Sequence, residues 1–370
     1  MKVFVVFGTR PEAIKFLPLI QAFRKRPDAF SLQVCTTGQH RELVDQLLAD
    51  FEIRQDHDLD IMRPNQTSVD IMEATLRKLT PLLVTEKPDW VLVQGDTTSA
   101  LAGTLAAFYS QIRVGHVEAG LRTWNKAAPF PEEINRVLID HSCDYRFAPT
   151  EINRGNLKRE GIEKDVYVVG NTIVDAIHTV LPLVTEKYAK QFEQKYSFLD
   201  NGKKLILATT HRRENFGEPL LNILGAFKEI AETDSNVQIV LPVHPNPSVS
   251  TVARKNLAGV SNIFLIDPLG YYEFLWMMQR CYLLLTDSGG VQEEAPTFGK
   301  PLLVLRETTE RAEGVTAGAA KLVGASREKI ITETTRLLND PSAYEAMSKV
   351  PNPYGDGTSC EQILDLLQNS

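Results

Sequence analysis

Cysteine is scarce and scattered. Cys35, Cys143, Cys281 and Cys360 stand far apart and form no C-x-x-C pair, which leaves neither a disulfide framework nor zinc-ligand spacing. Apolar runs are short, well below the ~20 residues a membrane helix needs, so no membrane association is expected. Basic blocks are missing too; with a formal charge of −7, nucleic acid is not the expected partner. The N-terminus carries one lysine and passes straight into a strand-like run with no small-residue cleavage site, the pattern of a chain without a signal peptide. A reducing cytoplasm is the expected home. Several catalytic fingerprints are also absent: no G-x-G-x-x-G follows a strand, no G-x-x-x-x-G-K-[ST] occurs, and no histidines stand in H-E-x-x-H spacing. A nicotinamide enzyme, a P-loop enzyme and a catalytic metal are all unsupported, and no cofactor is expected.

What is present is an α/β rhythm. At 370 residues the chain exceeds one ordinary core, which predicts two domains. Apolar, β-branched runs predict strands at Val3–Phe7, Leu32–Thr36, Trp90–Gln94, Arg113–Val117, Tyr145–Ala148 and Val166–Val169. Helical patterns fill the intervals, as in a parallel sheet covered on both faces. The charged stretch 181–203 reads as helix and ends at Asn201-Gly202. The rhythm then restarts with Leu205–Thr210, Val237–Leu241, Asn262–Ile266, Tyr282–Thr286 and Pro301–Leu305. Two Rossmann-like halves therefore meet near residue 170, with chemistry expected in a cleft between them, beyond the carboxyl ends of the strands.

The unusual polar residues cluster just after these strands. In VFVVFGTRPEAIKFLPLI, the strand turns at Gly8-Thr9-Arg10-Pro11 into a helix on which Pro11 suits the first position. Arg10 and Lys15 beside the backbone N–H groups of that helix start suggest phosphate or pyrophosphate; the plainer reading is two solvated cations. Asp96 follows the third strand, Glu118 the fourth, and Glu132-Glu133 open a helix after Pro131. Singly they could be a helix cap or answers to a helix dipole. Together they form an acid and base set. In the second half, Ser288-Gly289-Gly290 is a glycine turn at a helix start, Glu294 and Arg311 can serve ribose and phosphate, and His211-Arg212-Arg213 follows a strand. A lone histidine there would otherwise be a structural hydrogen bonder.

Read in order, Gly8-Thr9-Arg10-Pro11-Glu12-Ala13-Ile14-Lys15, Gln39-His40-Arg41, Gln94-Gly95-Asp96-Thr97, Gly115-His116-Val117-Glu118-Ala119-Gly120-Leu121-Arg122-Thr123, Pro131-Glu132-Glu133, Gly170-Asn171-Thr172, His211-Arg212-Arg213-Glu214-Asn215, Thr286-Asp287-Ser288-Gly289-Gly290-Val291-Gln292-Glu293-Glu294 and Thr308-Thr309-Glu310-Arg311 span nearly the whole chain. The sequence resembles the non-hydrolysing UDP-N-acetylglucosamine 2-epimerases. The resemblance implies an α/β GT-B fold: an N-terminal Rossmann-like domain over 1–170 with a C-terminal helix, 355–370, returning to it, and a UDP-binding domain over 171–354. It implies a homodimer that acts on UDP-N-acetylglucosamine, UDP-N-acetylmannosamine and UDP, without cofactor, and supplies an activated sugar for surface polysaccharide.

The reaction so implied is anti-elimination of UDP to 2-acetamidoglucal followed by re-addition with carbon 2 inverted. Asp96, Glu118 and Glu132 are the matching carboxylates, and His211 lies at the leaving group. Arg10, Lys15, Ser288, Gly289 and Gly290 would grip phosphate or sugar. Glu294 would hold ribose, Arg311 the phosphate end, and Phe274 the base. Leu269 and Gly270 stand where relatives usually carry Gln and Glu, and Arg311-Ala312-Glu313-Gly314 replaces a more usual Arg-Pro-Glu-Ala. Many bacterial relatives bind a second UDP-N-acetylglucosamine as activator. Gln39 and His40 match that pattern, whereas Glu42 and Asn65 depart from it, which predicts weak activation or none. The alternatives are a hydrolysing 2-epimerase releasing N-acetylmannosamine, disfavoured by Pro11-Glu12; a GT-B glycosyltransferase, which would need an acceptor groove; and a catalytically inactive nucleotide-sugar sensor, which would have no use for intact Asp96, Glu118, Glu132 and His211.

Overall fold

The structure, a computed structural model, describes every residue but His40, and only the backbone of Arg41, Glu42 and Leu43. It divides into two compact units, Met1–Ala176 with Tyr354–Ser370, and Ile177–Pro353.

In unit 1, seven strands alternate with helices: β1 (Lys2–Phe7), α1 (Arg10–Arg24), β2 (Ser31–Thr36), α2 (Arg41–Asp50), β3 (His57–Asp58), α3 (Ser68–Glu86), β4 (Trp90–Gln94), α4 (Thr98–Tyr109), β5 (Arg113–Val117), α5 (Glu132–Ser142), β6 (Tyr145–Ala148), α6 (Glu151–Arg159) and β7 (Val166–Val168); α7 (Thr172–Leu183) begins in unit 1 and ends in unit 2. The sheet order is β3-β2-β1-β4-β5-β6-β7, parallel throughout. Val3–Phe7 and Trp90–Val93 are wholly buried, as central strands covered by helices on both faces must be.

A π turn, Val184–Tyr188, leads into α8 (Ala189–Lys195), where the helix expected to run to 203 stops. Unit 2 continues with β8 (Lys204–Thr209), α9 (Glu218–Thr233), β9 (Val237–Pro242), α10 (Pro247–Leu257), β10 (Ile263–Ile266), α11 (Tyr271–Arg280), β11 (Leu283–Thr286), α12 (Gly289–Glu294), β12 (Leu302–Val304), α13 (Ala312–Ala317), β13 (Ala320–Leu322), α14 (Arg327–Asn339) and α15 (Pro341–Ser348). Its parallel sheet runs β10-β9-β8-β11-β12-β13. The last helix, α16 (Ser359–Gln368), belongs to unit 1 and packs on α1; just past the end of α1, Arg26 pairs with Glu361 and, at 2.5 Å, with Asp365.

Two local expectations shift. Helix α1 begins at Arg10, with Thr9 as its N-cap, so Pro11 takes the second position. Strands β3 and β13 are additions of two and three residues, too short to show a period in sequence.

Candidate active site

In each sheet two neighbouring strands send their connections in opposite directions, and a crevice opens beyond their carboxyl ends. In unit 1 these are β1 and β4; in unit 2 they are β8 and β11. The residues that follow these four strands, and β5 beside them, include most of those the sequence singles out; Gln39 follows β2, Phe274 follows β10 and Arg311 follows β12.

Beyond β1 the chain turns at Gly8, where a Cβ would lie 2.1 Å from Thr37 Oγ1 and 2.7 Å from Ser99 Oγ. Only glycine fits. The N–H groups of Gly8 and Thr9 are not left for an outside anion: Glu12 Oε2 accepts both, at 3.1 and 2.7 Å, and its Oε1 accepts from Thr97 Oγ1 at 2.7 Å. The helix supplies its own carboxylate there, as a capping box does. Burial pushes the Glu12 carboxyl up, and these hydrogen bonds oppose the rise. Lys15, one turn on and buried, pairs with Glu118.

Glu118 follows β5 with φ at +72°, a left-handed conformation rare outside glycine. Such strain persists where the surroundings enforce it. Here Lys15 and Gln94 grip the two carboxylate oxygens, and Asn171 Nδ2 lies 3.4 Å from Oε1. Asp96 does not cap α4. Thr97 does, accepting from Ala100 N at 3.0 Å, and Asp96 is left to pair with Arg136, whose Nε lies 3.0 Å away. Asn135 Nδ2 holds the Asp96 carbonyl at 2.9 Å. Glu132 opens α5 half-buried, and one of its oxygens is shielded with no hydrogen-bond partner among the described residues. Glu133 turns the other way, accepting from Thr123 N at 3.0 Å and Trp124 N at 2.8 Å. Unit 1 thus gathers three carboxylates in three settings, with Arg10 half-buried at the start of α1.

In unit 2, fully buried Asp287 is the pivot. It accepts from Thr210 Oγ1, His211 N and Arg212 N, each at 3.0 Å, and from Asn215 Nδ2 at 2.9 Å. His211 Nδ1 lies 3.3 Å from Asp287 Oδ1, and the ring stacks on His244 with centroids 5.8 Å apart. Burial pulls the His211 imidazole below its ordinary value, and Asp287 offsets part of that fall. Ser288, Gly289 and Gly290 then enter α12. A Cβ on Gly289 would crowd Arg311 Cζ at 3.1 Å, whereas one on Gly290 would meet open space. Arg311 Nε reaches Glu293 at 3.0 Å, and its fork also reaches Glu310. Burial would raise the Glu310 carboxyl, but Arg311 and Arg306 hold it down to about 2. Glu294 is buried on α12, and Phe274 is half-buried on α11.

Of the activator positions, Gln39 accepts from Ser99 Oγ at 2.9 Å, and Asn65 is exposed with φ at +58°. His40 and the side chain of Glu42 lie outside the described residues. Sequence reasoning did not single out Arg136, Asp140 or Arg306, and it quoted Asp287 without giving it a role. Their only signal was proximity to a motif.

Two parallel Rossmann-like sheets, one carrying carboxylates at its crevice and the other a buried Asp paired with a half-exposed His beside a glycine turn, define an α/β protein of the GT-B class. The family model described as UDP-N-acetylglucosamine 2-epimerase matches residues 21–368. The UDP-N-acetylglucosamine 2-epimerase of Yersinia pestis is 52% identical over 372 residues, covering 100% of this chain and 99% of its own length. That of Escherichia coli strain K12 is 50% identical, with the same coverage. The crystal structure of UDP-GlcNAc 2-epimerase from Neisseria meningitidis bound to UDP-GlcNAc superposes with a TM-score of 0.92 at 46% identity, covering 100% of both chains. The chain belongs to the UDP-N-acetylglucosamine 2-epimerase family, whose members are isomerases. No described helix is long and apolar enough to cross a membrane.

Proposed function

We propose that this protein interconverts UDP-N-acetylglucosamine and UDP-N-acetylmannosamine. The observation that carries the reading is the set Asp96, Glu118 and Glu132 at the carboxyl ends of one sheet, in a chain of this family. A carboxylate takes the carbon 2 proton while the bond from carbon 1 to the phosphate oxygen breaks, and that electron pair leaves with UDP. The product is 2-acetamidoglucal. A carboxylic acid then protonates carbon 2 from the other face, and the UDP oxygen re-forms its bond to carbon 1.

Donors aimed at the departing oxygen stabilise the charge that builds there. His211, Arg10 and Lys15 supply them, with Arg311 and the Ser288–Gly290 turn at the phosphates, Glu294 at ribose and Phe274 against the base. Nothing is oxidised or reduced between substrate and product. The protein acts in the cytoplasm as a homodimer; supporting the dimer, Val69 of α3, Phe108 and Tyr109 of α4, and Ile134 and Leu138 of α5 expose apolar side chains on three neighbouring helices.

Proton NMR with UDP-N-acetylglucosamine in heavy water tests the reaction. It should yield UDP-N-acetylmannosamine deuterated at carbon 2, because the acid that protonates carbon 2 from the other face carries solvent deuterium. Free N-acetylmannosamine with stoichiometric UDP would instead place the protein among hydrolysing enzymes, and inert substrate would make it a sensor.

A further inference from the structure

Strand β5 carries a histidine that this reaction does not use. His116 is fully buried, and each ring nitrogen meets an acceptor: Nε2 lies 2.8 Å from the Gly95 carbonyl oxygen and Nδ1 lies 2.7 Å from Asp140 Oδ1. A carbonyl has no proton to give, so the ring donates at Nε2. The contact at Nδ1 also needs one proton, carried by the ring or by the carboxyl. The other carboxylate oxygen decides between them. Asp140 Oδ2 accepts from Arg122 NH1 at 2.8 Å and from Gly120 N at 3.1 Å, and both donors favour the anion.

The surrounding charges fit a cation at this place. Arg146, across from His116 on β6, donates from Nε to the Asp140 carbonyl at 2.8 Å; Asp144 and Cys143 adjoin it; Glu160 binds Arg122 at 2.6 Å, and His141 lies 3.7 Å from Glu160. With His116 charged, three cations (His116, Arg122, Arg146) balance three carboxylates (Asp140, Asp144, Glu160). We propose that His116 donates from both ring nitrogens as an imidazolium at neutral pH, a positioning residue that clamps the Gly95 carbonyl and so fixes the turn presenting Asp96. Gly95 stands at φ +66°, its N–H already donating to Val117 O at 3.0 Å. The ring therefore pins the other side of the same residue, between Gln94, which grips Glu118, and Asp96, which pairs with Arg136. A charged donor holds a carbonyl about twice as strongly as a neutral one. In keeping with this, burial would raise the Asp140 carboxyl, yet His116 and Arg122 together bring it below its ordinary value.

The charge state rests on this geometry alone, and its effect on turnover rests on the proposed epimerisation. Nitrogen NMR of the full chain, labelled at histidine, reads the first. At pH 7 one ring should show both nitrogens protonated, where an ordinary histidine, with a pKa of roughly 6.5, is mostly neutral. That signal is assigned by its loss in His116→Gln, or by elimination across variants of the other histidines if that one does not fold. A neutral tautomer for His116 at pH 7 would overturn the assignment.

The second arm counts folded sites by UDP titration and measures kcat and KM per site in His116→Gln, or in Asp140→Asn should the first not fold. A loss in kcat of at least about tenfold, with KM within about threefold, is expected of a positioning residue. Unchanged kcat per site would overturn that role. A parent protein without epimerase activity would strike the reaction itself, and the NMR result would stand apart from it.

Discussion

Replacing Asp287 with asparagine keeps the shape of the side chain and removes its charge, in a place where four donors converge on one carboxylate. If the remaining oxygen stays toward Thr210, Arg212 and Asn215, each bond to it falls from charge-assisted to neutral, at roughly 0.5–1 kcal/mol apiece. The amide nitrogen then faces His211 N, which lies 3.1 Å from Oδ1 as well as 3.0 Å from Oδ2, so that one side of this shared contact becomes donor against donor. That mismatch costs about 1–3 kcal/mol. A loss of about 4 kcal/mol is therefore expected, read by urea unfolding followed through Trp276 fluorescence in the same unit.

Turnover should suffer separately. The carboxylate draws a proton to His211 Nδ1, whereas an amide donor would ask that nitrogen to accept, reversing the tautomer and removing the pull that favours the cation. Initial rates at pH 7 should fall by about a hundredfold or more. Stability within about 1 kcal/mol of the parent, with rates within about threefold, would refute the reasoning on both counts.

The remaining predictions concern the carboxylates, a proton and an activator. Asp96→Asn, Glu118→Gln and Glu132→Gln should each slow turnover by at least about a hundredfold with UDP affinity kept, while Lys15→Ala should lower both; near-normal rates in all three carboxylate variants would sink the assignment. Because burial depresses the His211 imidazole in the free protein, an arriving phosphate should raise it again. UDP binding should then take up a proton near pH ~6.5 and weaken as pH rises through the higher value of the complex. Calorimetry in two buffers of different ionisation heat measures this, and His211→Asn should abolish the uptake; equal heats in the parent would count against it. Starting from UDP-N-acetylmannosamine, the reaction should run without a long lag, because Asn65 brings no cation to a second pyrophosphate. A lag removed by a trace of UDP-N-acetylglucosamine would show a working activator site.

Strands β1, β4 and β11 were legible because a strand buried on both faces must be written as a nearly unbroken apolar run. Asp96, Glu118 and His211 were legible for the converse reason, as polar residues placed where such runs end. Arg136 and Asp140 were not. They sit inside α5 at the spacing of a solvated helix face, and only the tertiary fold turns Arg136 onto Asp96 and Asp140 onto His116. The start of α1 was legible in outline but not in its chemistry, since the motif shows Glu12 without revealing that its carboxylate folds back onto Gly8 and Thr9. In unit 2, Asp287 was not legible either, for it reads as one more polar residue before a glycine turn until five neighbouring groups are seen around it.

The chain leaves unit 1 after Ala176 and re-enters it at Tyr354, and this has a bearing on synthesis. Domains fold as they emerge from the ribosome, N-terminal parts first. The seven-stranded sheet is complete in the first 176 residues, yet the helix that covers α1 is translated only after all of unit 2. Until Ile363, Leu364 and Leu367, all buried in the finished fold, reach their seats, the nascent N-terminal part waits with an apolar flank uncovered. Unit 2, contiguous in the chain, has no such delay. The order of maturation should therefore be the reverse of the order of synthesis, with the first-made sheet the last to be sealed.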